Sequence, residues 1–264
     1  MYSNGIFFRF TRLGDYVHVL FLIFPLIFLI SPADLFSYRT VIIFLANLCL
    51  TAFGYMFNDL EDAEDDYHDV EKRIRNPIAS GEITRRRSYL FNLFLLSVGL
   101  LLLLSLSPFV FLLGIIYALV GFVYSWKSLR LKSRPILDLV SHVLFLGVLQ
   151  FLTTYAAFRP LDLSIAPFLM IIVPISVMNE ILHELQDYEV DRDTEITNTV
   201  QRFERSDIKR FLFTLLGLVV VGFSLIIFTL PPENRIITIP LSVVVGIFTL
   251  YRLNLRTSRI LITN

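Results

Sequence analysis

The sequence predicts an all-α integral membrane protein, a bundle of eight transmembrane helices, or nine if an irregular segment conceals one more. Three observations support this. Hydrophobic residues make up 55% of the 264 positions and the mean hydropathy is +0.69, more apolar than a soluble domain of this length. Apolar stretches of about 18 or more residues recur, each long enough to cross a bilayer core as a helix. Lys and Arg are confined almost wholly to alternate loops.

The first stretch, 14–31, follows Arg9 and Arg12 as the core of a signal peptide would. Its apolar run is too long for that, lacks a small-residue cleavage site, and is followed by further spans, so it reads as a membrane helix. The others fall at 39–57, 88–107, 109–126, 136–158, 164–183, 210–230 and 236–252. With eight crossings, both termini and the loops 2–3, 4–5 and 6–7 share one side. That side holds 20 of the 23 Lys and Arg residues; Arg39, Arg159 and Arg235 lie opposite. Short loops rich in Lys and Arg stay in the cytoplasm, which places both termini there. One missed span would scramble this alternation. The chain reads as one multi-pass domain over 1–264. Cys49 lies inside the second span, so there is no disulfide framework. The four His residues are scattered, and His183 alone has notable neighbours.

Acidic residues follow a second pattern. Of the 23, nine fall in 58–82 and nine in 180–207, each window continuing directly from an apolar helix on the same expected side. If the second helix runs on past Phe57, then Asn58, Asp62 and Asp66 fall at i, i+4 and i+8, along one face. Asn179, His183, Asp187 and Asp191 repeat the spacing. Carboxylates so close repel one another unless a cation sits among them. Mg²⁺ does this well, taking one or two carboxylates plus phosphate oxygens and water. Cations flank both windows: Lys72, Arg73 and Arg75 after the first, Arg192, Arg202 and Arg205 after the second. The loop "YSWKSLRLKSRP" adds Lys127, Arg130, Lys132 and Arg134. Arg binds phosphate through a planar fork and Lys as a point charge. Metal-binding and phosphate-binding groups at the mouth of an oily bundle suggest a lipid diphosphate substrate. One such charged run between membrane helices is ordinarily a solvated loop; two in register with helix ends, flanked by cations, are not. Glu61, Glu64 and Glu71 read as solvated helix-end charge.

These residues resemble the UbiA superfamily of intramembrane prenyltransferases. "NDLEDAEDD" fits its NDxxDxxxD motif through Asn58, Asp59, Asp62 and Asp66. "RNPIASGEIT" resembles the R-x-P-[IL]-x-S-G-x-I segment, "YSWKSLRLKSRPILDLVSH" the Y-S-x-x-x-x-R-L-K loop, and "DYEVDRDTEITNTV" the second, DxxxD-centred motif. The resemblance implies helices around a central cavity open laterally to lipid, with both acidic motifs at the cytoplasmic face. It implies Mg²⁺ as cofactor, held by Asn58, Asp62 and Asp66 on one side and Asp187 and Asp191 on the other. Lys72, Arg75, Arg130, Lys132 and Arg192 would contact the diphosphate of a polyprenyl diphosphate, with Tyr124 at the cavity mouth near the allylic cation. Asp59, about 100° around the helix from Asn58, would orient the motif. The expected partners are that donor, a hydrophobic acceptor (aromatic, carotenoid or lipid) and membrane lipids, with no nucleic acid among them. "RLKSRPILDLVSH" followed by "DYEVDR" has the flavour of members acting on carotenoids, such as lycopene elongases.

Three positions depart from the family pattern. Glu195 stands where members often have Gly four residues after the last Asp of the second motif, and Trp126-Lys127 where relatives often carry Pro-Pro. Many members have nine spans, whereas this chain supports eight and ends in the basic tail "YRLNLRTSRILITN". Other readings fit less well. CDP-alcohol phosphotransferases need a D-G-x-x-A-R opening, and the chain contains no Asp-Gly pair. A transporter or cation channel predicts charges deep in several spans, yet the third, seventh and eighth are nearly charge-free. A family member that binds isoprenoid without turnover finds its support in Glu195.

Overall fold

The computed structural model describes residues 5–193, 199–229 and 239, without the side chains of 186–193, 201 and 205. The described residues form helices and connecting turns: α1 (Ile6–Thr11), α2 (Leu13–Leu20), α3 (Ile23–Ile30), α4 (Tyr38–Asp66), α5 (Val70–Arg75), α6 (Arg85–Leu106), α7 (Pro108–Ser125), α8 (Leu137–His142), α9 (Gln150–Ala156), α10 (Ala166–Asp193) and α11 (Arg205–Thr229). A π-helical turn, Val143–Leu149, joins α8 to α9. Among the described residues seven helical stretches are long and apolar enough to cross a membrane. They match the first seven predicted spans. The eighth, 236–252, lies outside the described residues apart from Ile239.

Local chemistry explains where these helices start and break. Ser37, Thr84 and Ser107 cap α4, α6 and α7, each side chain accepting from a backbone N–H of the first turn. Pro108 at the first position of α7 donates no N–H where none is needed. The first predicted span is one continuous stretch in sequence but two helices in the structure. Pro25 has no N–H to give Phe21 O, which instead accepts from Phe24 at 3.3 Å, and the helix breaks there. α4 has 29 residues, about 43 Å at 1.5 Å per residue, against a hydrocarbon core of roughly 30 Å. It therefore runs past its apolar part and carries the first acidic motif as helix.

The chain forms two compact units. The first runs to Leu131 and resumes over Leu144–Pro160; the second takes Lys132–Val143 and the chain from Leu161. In the first, α4 is the central element, burying Ile43, Leu50, Phe53 and Met56. Hydrophobic packing gives no net drive between helices in lipid, so polar contacts and close approach matter more. Thr51 meets the Tyr117 hydroxyl at 2.8 Å, and Asn47 bonds Thr153 and Thr154 at 3.3 Å each. The ring of Phe145, in the π-helical turn, fills notches over Gly54 and Gly121. A Cβ on Gly121 would stand 2.6 Å from Phe145 Cε2, and one on Gly54 closer still. In the second unit α11 packs on α10 through Ile171, Val219 and Ile226. Gly222 brings α11 against Pro167 and Ile171; a Cβ there would lie 2.9 Å from the Pro167 carbonyl oxygen.

Candidate functional site

The acidic end of α4 presents two different faces. On one, Asn58 Nδ2 donates to Asp62 Oδ2 at 3.1 Å while Asn58 Oδ1 accepts from Ser125 Oγ at 2.8 Å. Ser125, the last residue of α7, thereby fixes which way the Asn58 amide points. Asp62 Oδ1 and Asp65 Oδ2 both accept from Arg130 Nη2, at 3.3 and 2.8 Å. Arg130 has φ 42°, a left-handed backbone that few non-glycine residues adopt. Its N–H donates to Trp126 O at 2.7 Å, closing the turn that aims the guanidinium at α4.

Lys127 adds two bonds to the same loop. Its backbone N–H reaches Glu61 Oε2 at 2.9 Å and its ammonium Glu64 Oε2 at 2.6 Å. Arg85 also pairs with Glu64, at 3.2 Å. Glu61 and Glu64 are therefore not merely solvated charge: they bolt the 126–130 loop to α4. A proline at 127 could not donate the first of these bonds, which gives the Trp126-Lys127 departure a physical meaning.

The other face is closed. Asp59 is buried and accepts from Arg12 Nη1 at 2.9 Å. Asp66, seven residues on and so within about 20° of Asp59 around the helix, is buried too and accepts from Asn76 Nδ2 at 2.9 Å. The same Nδ2 donates to Asp59 O at 2.8 Å, while Asn76 Oδ1 accepts from Ile78 N at 3.0 Å. Asn76 thus folds the "RNPIASG" turn onto the motif. The structure brings Asn58 and Asp62 together and joins Asp66 to Asn76 on the Asp59 side.

The N-terminal helices brace this turn. Arg9 forks onto Glu82 at 2.9 and 2.6 Å and reaches Ile74 O at 2.7 Å. The fork holds the Glu82 carboxyl below its usual range, with help from Ser80, and raises Arg9. Burial opposes the charge on Arg12, but Asp59 and Asp15 outweigh it and raise its pKa. Arg12 also bonds Asp15 and sits 5.5 Å over the Tyr55 ring. Asp69 caps α5 by accepting from Glu71 N and Lys72 N at 2.9 and 3.0 Å, which lowers its pKa. Lys72 and Arg75 on α5 are exposed. Tyr124 is half-buried in the last turn of α7.

In the second unit α10 continues as helix to Asp193, so positions 187 and 191 of the second motif are helical in their backbone. Asn179 and His183 are exposed, whereas Glu180 and Glu184 are buried. The side chains of Asp187, Asp191 and Arg192 lie outside the described ones, and so does the whole of Glu195. Lys132 is half-buried in a short 3₁₀ turn, Leu131–Ser133. His142 Nδ1 meets Glu180 Oε2 at 2.8 Å. Sequence reasoning missed Ser125, Asn76 and Asp138, and used Arg12 only as a flank of the first span. All three fall inside the segments quoted for the family resemblance, Ser125 and Asp138 in "YSWKSLRLKSRPILDLVSH" and Asn76 in "RNPIASGEIT", and their polar side chains there are the signal that could have found them.

Among the described residues no group of three or more His, Cys, Asp or Glu side chains is gathered to hold a metal ion. What α4 offers is a pair of hard oxygen ligands, Asn58 and Asp62, with a guanidinium already drawn to the carboxylate. Two protein oxygens leave the rest of an octahedron to phosphate and water, which fits Mg²⁺.

Fold and site together define a polytopic helical membrane protein with an oxygen and guanidinium site at the end of α4. The chain matches the UbiA prenyltransferase family over residues 19–259 and belongs to that family. It is 28% identical over 152 residues to a digeranylgeranylglyceryl phosphate synthase from Thermococcus gammatolerans, covering 57% of this chain and 52% of that one. It is 30% identical over 107 residues to a 4-hydroxybenzoate octaprenyltransferase from Methylobacillus flagellatus, covering 39% and 36%. The chain thus spans about half or less of the curated relatives it matches. The fold is similar to that of a UbiA homologue from Archaeoglobus fulgidus bound to GPP and Mg²⁺. There the TM-score is 0.74 at 22% identity, over 94% of this chain and 86% of that one.

Proposed function

We propose that the protein transfers a prenyl group from a polyprenyl diphosphate to a lipophilic acceptor and releases pyrophosphate. The observation that carries this reading is the Asn58–Asp62 oxygen pair, oriented by Ser125 and faced by Arg130, at the end of α4 in a UbiA-family chain. The prenyl C1–O bond breaks with its electron pair going to the diphosphate, the acceptor bonds to C1, and the acceptor's proton leaves. Mg²⁺, when bound, neutralises charge developing on the leaving group. Asn58 and Asp62 would hold it on α4; the resemblance adds Asp66, whose Oδ2 is engaged by Asn76, and names Asp187 and Asp191 as the corresponding ligands on α10. Lys72, Arg75, Arg130, Lys132 and Arg192 bind the phosphate oxygens, and Tyr124 lies beside the reacting carbon. Apolar side chains house the prenyl tail and exclude water.

The relatives named above bear the names of enzymes for glycerol-phosphate and hydroxybenzoate acceptors, and the loop flavour adds carotenoids. The acceptor panel therefore contains all three. The chain acts as one domain, with the termini and the site on the cytoplasmic side, as the Lys and Arg distribution supports. The test is protein in lipid nanodiscs with Mg²⁺ and radiolabelled prenyl diphosphates of several lengths. Pyrophosphate and a labelled lipid should appear together, and EDTA should stop both. Asp62→Ala and Asp187→Ala should each abolish release; wild-type turnover in both variants refutes the reading.

A further inference from the structure

The chain that follows the DxxxD pair of the second acidic motif is pinned by a buried polar cluster that no part of the proposed reaction uses. Val200 N–H donates to Glu184 Oε2 at 2.8 Å, sixteen residues earlier on α10. Its neighbour Thr199 makes two bonds through one hydroxyl. Thr199 Oγ1 accepts from Ile136 N–H at 2.8 Å and donates to Asp138 Oδ1 at 2.8 Å. Asp138, Glu184 and Thr199 are 3%, 7% and 7% exposed. Ile136 has φ 72°, a conformation that a β-branched residue resists and that surrounding bonds must hold.

We infer that Thr199, Asp138 and Glu184 form a positioning clasp, tying the chain after the second acidic motif both to α10 and to the segment that carries Lys132. Three features support this. Positions 184, 187 and 191 share one face of α10, within about 60°, so the clasp grips the helix on the motif's own side. Lys132 and Ile136 are four residues apart, so a bond at Ile136 fixes the exit of the cation loop. Apolar packing would join these segments at less desolvation cost than three buried polar side chains, and strain such as that at Ile136 collects where geometry is used. The clasp holds metal-binding and phosphate-binding positions of this unit in one register. The inference rests on the proposed function, and it predicts effects on metal and donor affinity over and above folding.

The test compares Thr199→Val, which keeps the shape and loses both hydroxyl bonds, with Thr199→Ser, which keeps them. Full-length protein in nanodiscs is titrated with Mn²⁺ and inorganic pyrophosphate by electron paramagnetic resonance, and with Mg²⁺ in the turnover assay. Thr199→Val should raise the half-saturating metal concentration about tenfold, the factor one to two hydrogen bonds carry, and Thr199→Ser should stay within about twofold. If Thr199→Val does not yield folded protein, Asp138→Ala, which leaves the Ile136 bond, should raise it about threefold. Unchanged metal dependence in the folded variant, or an equal loss in Thr199→Ser, overturns the clasp while leaving the proposed function intact. A wild type that neither binds Mn²⁺ with pyrophosphate nor turns over overturns both.

Discussion

Removing the Arg12 guanidinium should unbalance a charge that has almost no access to water. Asp59 has 2% of its side chain exposed and Arg12 12%, and they meet at 2.9 Å. Among the described residues the second Asp59 oxygen is buried without a hydrogen-bond partner, and Arg12 supplies the bond its carboxylate makes. Breaking a buried pair from one side costs about 3–5 kcal/mol, because the remaining charge is left uncompensated. At about 2–4 °C per kcal/mol for a chain of this size, Arg12→Met should lower the apparent melting temperature by about 10 °C. The assay is loss of the monodisperse size-exclusion peak after heating in detergent. The double variant Arg12→Met/Asp59→Leu should recover at least half of the loss, since two apolar groups replace the pair. A single variant within about 2 °C of wild type, or a double variant no better than the single, refutes the buried-pair account.

Other expectations are smaller in scope. Arg130→Ala should raise the KM for prenyl diphosphate at least about tenfold, as a charged hydrogen bond would, with Arg130→Lys intermediate in the turnover assay. Lys127→Pro removes the N–H bonded to Glu61, so it should shift the KM in the same direction with little change in melting temperature. Glu82 and Asp69 have pKa values lowered in the folded state. Their contribution is therefore complete above the ordinary carboxylate range of about 4 and is lost as pH falls through the folded values. The stability difference between wild type and Arg9→Ala should be flat from about pH 8 to 5 and shrink below about pH 4. A difference that grows on acidification contradicts the Arg9–Glu82 fork.

The membrane helices were legible because bilayer thickness sets a length that composition alone reveals. The helical spacing of Asn58 and Asp62 was legible for the same reason: a period needs no tertiary partner. What lies around α4 was not. Spacing by four put Asp66 in line with Asn58 and Asp62, yet over two turns the drift brings it round to Asp59, and Asn76 takes it there. Glu61 and Glu64 looked like free surface charge because their partner, Lys127, lies more than sixty residues away. Arg12 carried no motif, and only the left-handed backbone at that residue swings it onto Asp59. The break at Phe21 is written in Pro25, which interrupts the hydrogen-bond ladder without interrupting the apolar run. Thr199 and Asp138 lie in two separate motif segments, and only the fold makes neighbours of them.

The seat of Phe145 has a consequence for sequence change over time. One ring occupies the space of two missing side chains, on helices separated by 67 positions, so none of the three residues is free to drift alone. Gly54→Ala or Gly121→Ala should be tolerated only beside a smaller residue at 145, and Phe145→Leu should leave a void that either alanine helps to fill. Positions 54, 121 and 145 should therefore vary as a set among relatives. A lineage that enlarged 54 or 121 while keeping Phe145 would have to move that ring out of its seat.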